Sequence, residues 1–173
     1  MTLSEEALVF ATEAHKDQVR KYTFEPYIVH PMEVADIIRT IPHDEAMLAA
    51  AYLHDVVEDC DVPLFTIFQR FGADVGEHVY FLTDISSKSD GNRAFRKQMD
   101  RDHIERAPGR TQSIKVADLI SNTKSITAHD PDFARVYMKE KTLTLNILTK
   151  ADTSLLVAAR LIIAEYNSTK TAA

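Results

Sequence analysis

Ala49-Ala50-Ala51-Tyr52-Leu53-His54-Asp55-Val56-Val57-Glu58-Asp59 is the stretch that decides how this chain is read. Its first five residues are apolar and helix-prone, and four ionisable groups then arrive within six positions. A core helix has no packing reason to end on His, Asp, Glu and Asp. Burying such groups unpaired costs on the order of several kcal/mol. A bound cation compensates that cost, because imidazole and carboxylate are good ligands for divalent metals. The stretch therefore predicts a metal site built on a helix.

Outward from it, apolar residues recur at helical spacing nearly everywhere. Ser4 reads as the N-cap of a helix running to about Arg20. A polar and aromatic loop follows from Lys21 to His30, and Pro31 starts a second helix. Asp44 caps a third helix, from Glu45 to about Val57. Pro63 opens a fourth that Gly72 ends, and a fifth covers Asp74 to Leu82. Residues 84–92 form the most polar segment and read as a mobile loop. Arg93 to Arg106 is a charged, solvent-facing helix. Helices from Thr111 to about Ala128, from Asp130-Pro131 to about Thr149, and from Asp152 or Thr153 to about Tyr166 complete the chain. With only four Gly and six Pro to break them, the helices are long and the fold class is all-α. The expected architecture is one helical bundle over residues 1–173, with the polar loop near 84–92 and C-terminal helices over 130–173.

A chain of 173 residues suits one domain with one substantial core. Its 45% hydrophobic and 27% charged residues give a globular balance rather than a disordered one. The net charge of −6 argues against a polymeric nucleic-acid partner but leaves room for a local basic cluster that takes a small anion. Cys60 stands alone, which excludes an intrachain disulfide and a cysteine-based zinc site and fits a cytosolic setting. The opening residues Met1 to Glu6 lack the basic n-region and apolar core expected of a signal peptide, and no apolar run reaches the roughly 18–20 residues of a membrane span.

Four residues are candidates to close the metal site: His30, His54, Asp55 and Asp118. His30 precedes Pro31 at a helix start, where its ring can point inward. Asp118 lies in the otherwise apolar run Val116-Ala117-Asp118-Leu119-Ile120, where a lone carboxylate is costly. Two imidazoles and two carboxylates suit manganese, iron or zinc. The plainer reading of His54-Asp55 alone is a structural ion pair. His43, His78, His103 and His129 read as surface or capping residues. Glu58 and Asp59 fall one helical turn beyond His54 and Asp55, placed to hold and deprotonate water, the plainer reading being a solvated acidic helix end. Asn122, four residues after Asp118, faces the same site and is suited to a substrate hydroxyl. His15, Lys16, Arg20 and Lys21 form a basic cluster ahead of Tyr22 and Phe24, able to stack on a base or hold phosphate. Lys88, Arg93, Arg96, Lys97 and Arg101 form another, better read as a solvated face.

These motifs resemble the HD-domain metal-dependent phosphohydrolases, and more closely the hydrolase domain of the RelA/SpoT homologues in its stand-alone form, the small alarmone hydrolases. The carrying elements are Arg20-Lys21, Pro26-Tyr27-Ile28-Val29-His30-Pro31, Leu53 to Asp59, Phe71-Gly72, and Val116-Ala117-Asp118 with Asn122, all within about residues 7–126. The resemblance implies an all-α fold and hydrolysis of the 3′-pyrophosphate of a nucleotide alarmone, (p)ppGpp, to GDP or GTP and pyrophosphate. It implies that His30, His54, Asp55 and Asp118 bind a divalent metal, manganese in most of this family. Glu58 and Asp59 would activate water, Asn122 would contact the ribose, and Arg20 and Lys21 would flank the base. Two departures lie near the base pocket. Phe24-Glu25 stands before Pro26 where the family commonly has Gly, and Leu119-Ile120-Ser121-Asn122-Thr123-Lys124 lacks the usual basic or aromatic residues. They leave the base open between guanosine and adenosine, (p)ppApp included. Two other readings stay open: an HD phosphohydrolase acting on a nucleoside monophosphate or on a 3′- or 2′-phosphate such as that of NADPH, and a nucleotide-binding module without catalysis.

Overall fold

The computed structural model describes residues 1–171. Nine helices occupy most of them: α1 Leu3–Ala14, α2 Val29–Ile38, α3 Glu45–Leu53, α4 Val56–Asp59, α5 Leu64–Leu82, α6 Arg93–Glu105, α7 Gly109–His129, α8 Pro131–Ile147 and α9 Thr153–Thr171. Among the described residues, extended pairing is limited to one bridge between Val19 and Pro26. The all-α expectation holds.

Local chemistry explains most of the boundaries. Asp44 caps α3 by accepting the Met47 amide at 3.0 Å, and Asp130 caps α8 by accepting that of Phe133 at 3.1 Å. Gly72 breaks α5 with φ of 86°, a left-handed conformation that glycine adopts without a Cβ penalty. The α1 cap is Thr2 rather than Ser4: Thr2 and Glu5 form a capping box, and Ser4 is buried inside the first turn. Helix α2 begins at Val29, so His30 and Pro31 both lie in its first turn, where a missing amide costs nothing.

Two expected helices end early. Helix α1 stops at Ala14, not near Arg20, because His15 turns inward and Val19 pairs with Pro26. Residues 18–27 close a tight loop, with Arg20 N–H on the Glu25 carbonyl at 2.9 Å and Tyr27 N–H on the Gln18 carbonyl at 3.0 Å. Helix α3 stops at Leu53, and the regular ladder resumes only in the single turn α4. Asp59 N–H still bonds the Asp55 carbonyl at 2.9 Å, so the four-residue spacing survives across the junction.

Phe24, at the tip of the 18–27 loop, has φ of 59° and is 76% exposed. A bulky side chain in that region is disfavoured by roughly 1–2 kcal/mol, and here little packing is gained in return. Phe24→Gly is therefore expected to raise stability by up to about 1 kcal/mol, visible as a higher Tm. A lower Tm would show that the ring contributes packing after all.

The core forms around α3, whose Ala49, Ala50, Ala51 and Leu53 are fully buried. Small side chains let α1, α2, α5 and α7 close against it. Helix α7 also packs on α2, α8 and α9, so α2, α3 and α7 converge. His30 and Asp118 come from α2 and α7, and His54-Asp55 from the turn just beyond the end of α3. His43 and His129 are exposed as expected, but His78 and His103 are buried. Each bonds a partner from another element: His78 Nδ1 meets Thr111 Oγ1 at 2.6 Å, and His103 Nε2 donates to the Tyr80 carbonyl at 3.0 Å.

Candidate active site

The first turn of α2 delivers His30, the α3–α4 junction His54 and Asp55, and the middle of α7 Asp118. Their donor atoms meet. His54 Nε2 lies 3.1 Å from Asp55 Oδ2 and 3.9 Å from Asp118 Oδ1. His30 Nε2 lies 3.3 Å from Asp118 Oδ1 and 3.6 Å from Asp55 Oδ2. The two Nε2 atoms are 3.3 Å apart.

The surrounding hydrogen bonds determine where the ring protons sit. His54 Nδ1 is 2.8 Å from the Ala51 carbonyl oxygen, which only accepts, so Nδ1 is the protonated nitrogen. His30 Nδ1 is 2.9 Å from Ser121 Oγ, whose own proton goes to Glu33 Oε2 at 2.7 Å. His30 Nδ1 therefore donates as well. In the neutral forms that can ligate a metal, both rings turn bare Nε2 lone pairs into a space shared with two carboxylates. Four acceptors face one another, and a cation satisfies them all. His30, His54 and Asp55 alone place one ligand atom each within 4.8 Å of the others. This donor set fits a divalent cation.

Further bonds hold the donors. Tyr27 donates its hydroxyl to Asp55 Oδ2 at 2.5 Å, Asn122 Nδ2 donates to Asp118 Oδ1 at 2.6 Å, and Lys115 Nζ lies 3.1 Å from Asp118 Oδ2. Burial raises the carboxyl pKa of Asp118, but Lys115 and the two imidazoles outweigh it and hold the group well below the usual range. Burial likewise works against charged His54, yet Asp55 and Asp118 outweigh it and lift its pKa to about 9. The cluster draws in positive charge.

That shift has a testable sign. Folded His54 titrates near 9 and the unfolded residue near 6.5, so its protonation stabilises the metal-free fold below pH 6.5, and that contribution is lost as pH rises through about 9. The Tm of metal-free protein is expected to fall across this window, and a divalent cation is expected to release a proton there. A flat Tm with no proton release would contradict the arrangement.

Glu58 sits on α4 with its side chain still open to solvent and accepts the Asp84 amide in a short hydrogen bond. Surrounding protein, and then the Asp84 carboxylate, push its pKa up to about 7. Asp59 is raised too, first by desolvation and then by Asp55. Asn122 faces the site as expected, although its amide nitrogen is engaged by Asp118.

Two cavities adjoin the cluster. One of about 230 Å³ is lined by Arg20, Lys21, Tyr22, Tyr27, His30 and Asn122, among others. Arg20 does not stack there: it is buried and paired with Glu33 at 3.0 Å. Lys21 is exposed and lies 3.5 Å from Asp130. His15, read as part of this basic cluster, is instead buried against Gln18 and Cys60 at 2.8 and 3.1 Å. The second cavity, about 350 Å³, is lined by Asp84, Asp118, Asn122 and Lys115 and by Arg93, Lys97 and Arg101. Those last three, read as a solvated face, thus stand on a cavity wall. Tyr27, Glu33, Lys115 and Ser121 were missed. Lys115 and Ser121 each lie three residues from Asp118, and Glu33 three from His30, spacings at which helical neighbours meet.

The HD domain family matches residues 7–147. The chain belongs to that family. The chain is 35% identical to the probable guanosine-3′,5′-bis(diphosphate) 3′-pyrophosphohydrolase of Synechocystis sp., over 78% of this chain and 18% of that protein. It is also 35% identical to the Xenopus tropicalis guanosine-3′,5′-bis(diphosphate) 3′-pyrophosphohydrolase MESH1, over 73% of this chain and 71% of that one. The chain therefore spans about a fifth of the length of the first relative and most of the second. A solved structure described as a metazoan ortholog of SpoT that hydrolyses ppGpp superposes with a TM-score of 0.85 at 28% identity, covering 96% of both chains. Among the described residues, no helix is long and apolar enough to cross a membrane.

Proposed function

We propose that this HD-domain chain is a metal-dependent 3′-pyrophosphohydrolase of a nucleotide alarmone, with (p)ppGpp as substrate. The observation that carries the proposal is the convergence of four lone-pair donors near a carboxylate, Glu58, whose hydrogen-bond partner Asp84 lines a cavity together with Arg93, Lys97 and Lys115. The names of the Xenopus and Synechocystis relatives support the same reaction.

In this reading His30, His54, Asp55 and Asp118 hold the ion, and manganese suits a set of two imidazoles and two carboxylates. Once bound, the ion supplies Lewis acidity toward a phosphoryl oxygen. Glu58 takes a proton from the attacking water, and Asp59 orients that water. The water oxygen bonds to the phosphorus on the ribose 3′-oxygen, that P–O bond breaks, and the 3′-oxygen gains a proton as pyrophosphate leaves. Lys115, beside Asp118, offsets charge growing on the phosphoryl oxygens. The free amide oxygen of Asn122 accepts a ribose hydroxyl, and Arg20 and Lys21 border the base cavity. A cytosolic setting suits this substrate.

Purified protein with manganese is expected to release pyrophosphate from ppGpp. Absence of release across a panel of guanosine and adenosine 3′-pyrophosphates would sink the proposal, and the faster member of each pair would identify the base.

A further inference from the structure

Lys141 lies on α8, is 1% exposed, and lines the 350 Å³ cavity. Its ammonium donates to the Leu119 carbonyl at 3.1 Å and to Thr123 Oγ1 at 2.5 Å, and both acceptors are neutral. The acids on the same wall are taken. Arg93 grips Glu140 with two bonds of 2.6 and 2.8 Å, Lys97 holds Asp84 at 2.6 Å, and Lys115 holds Asp118 at 3.1 Å. Asp100 accepts the Ile85 and Ser86 amides at 3.2 and 3.0 Å. Five basic residues and four acidic ones line this cavity; Arg101, which donates to Gln98 Oε1 at 2.7 Å, is half-buried, and Lys141 is the fully buried one among them whose hydrogen bonds go only to neutral groups. An uncompensated buried ammonium destabilises a fold, so a role in binding offsets that cost.

We propose that Lys141 is a specificity-determining residue whose buried charge selects a nucleotide bearing a 5′-diphosphate. The inference rests on the alarmone-hydrolase reading. There the 3′-pyrophosphate belongs with His30, His54, Asp55 and Asp118. Lys141 reaches Leu119 and Thr123, one residue around α7 from the Asp118–Asn122 face, and so serves the other phosphate arm. Its charge acts at short range through protein rather than water, where attraction is weakly screened. Burial lowers its pKa to about 8, an effect that the charge of Asp118 offsets only in part. The bonds to Leu119 and Thr123 fix it in place beforehand.

Lys141→Met keeps the aliphatic volume and removes the charge. Its dissociation constant for GDP, measured calorimetrically, is expected to rise about tenfold or more, with a much smaller change for GMP. The KM for ppGpp is expected to rise with it while kcat stays within a few-fold. Without ligand, the Tm should hold or increase, because an uncompensated charge has gone. Should the Met variant not fold, Lys141→Gln, which keeps a hydrogen-bond donor, is expected to show the same loss of GDP affinity. Unchanged GDP affinity in the folded variant, or no GDP binding by the native chain, overturns the inference. Lys141-dependent GDP binding without pyrophosphate release from ppGpp would uphold it while sinking the hydrolase reading.

Discussion

Asp55→Ala is expected to weaken divalent-cation binding by more than about 100-fold, since even partners that only orient a metal ligand are worth ~10–100-fold. Asp55 Oδ2 is the carboxylate oxygen nearest His54 Nε2, at 3.1 Å, and it also lies 3.6 Å from His30 Nε2. Its loss leaves two imidazoles and Asp118 with no fourth donor, and frees the Tyr27 hydroxyl. Pyrophosphate release should fall to background at manganese concentrations that saturate the native chain. Calorimetric titration with manganese checks the first effect and a phosphate-release assay the second. Native-like manganese affinity in the variant would remove Asp55 from the metal centre.

Glu58→Gln is expected to keep the cation and lose about 10²–10⁴ in kcat, the range general base catalysis supplies. Glu58 does not touch His30, His54, Asp55 or Asp118 in any bond of the cluster, so its amide leaves the donor set intact. The change also has a pH signature. The native carboxyl titrates near 7, protonated and inactive below, ionised and able to take a proton above. Rate should therefore climb with pH and level off, with the limb at or below about 7, because a nearby cation favours the ionised form. The residual rate of Glu58→Gln should lack that limb. A limb that persists, or a kcat that does not fall, would place water activation on Asp59 or elsewhere.

The candidate donors were legible because their signal is local. Asp118 stands out as a carboxylate in an apolar helix, and His54-Asp55 as charge at the end of one. The caps at Asp44 and Asp130 and the break at Gly72 rest on interactions within a turn, and they appear as expected. The Phe24 departure also found its physical counterpart, a left-handed backbone where glycine would be unstrained.

Other features had no local signal. His30 is oriented through Ser121, 91 residues away, and Ser121 through Glu33. Helix α6 is so polar that its periodicity does not say which charges face outward. Only packing against α8 puts Arg93 on Glu140 and turns Arg93, Lys97 and Arg101 toward a cavity. His15 looked like part of a basic helix end, but the Val19–Pro26 bridge ends that helix and sends the ring inward.

Sequence by itself thus determined the helical class, the donor types and the carboxylates one turn beyond them, because backbone propensity and burial cost act within a few residues. Only the tertiary structure decided that the four donors share one space, which ring nitrogens stay bare, and which cations line the cavity. Those depend on the approach of α2, α3, α6, α7 and α8, which no spacing along the chain encodes.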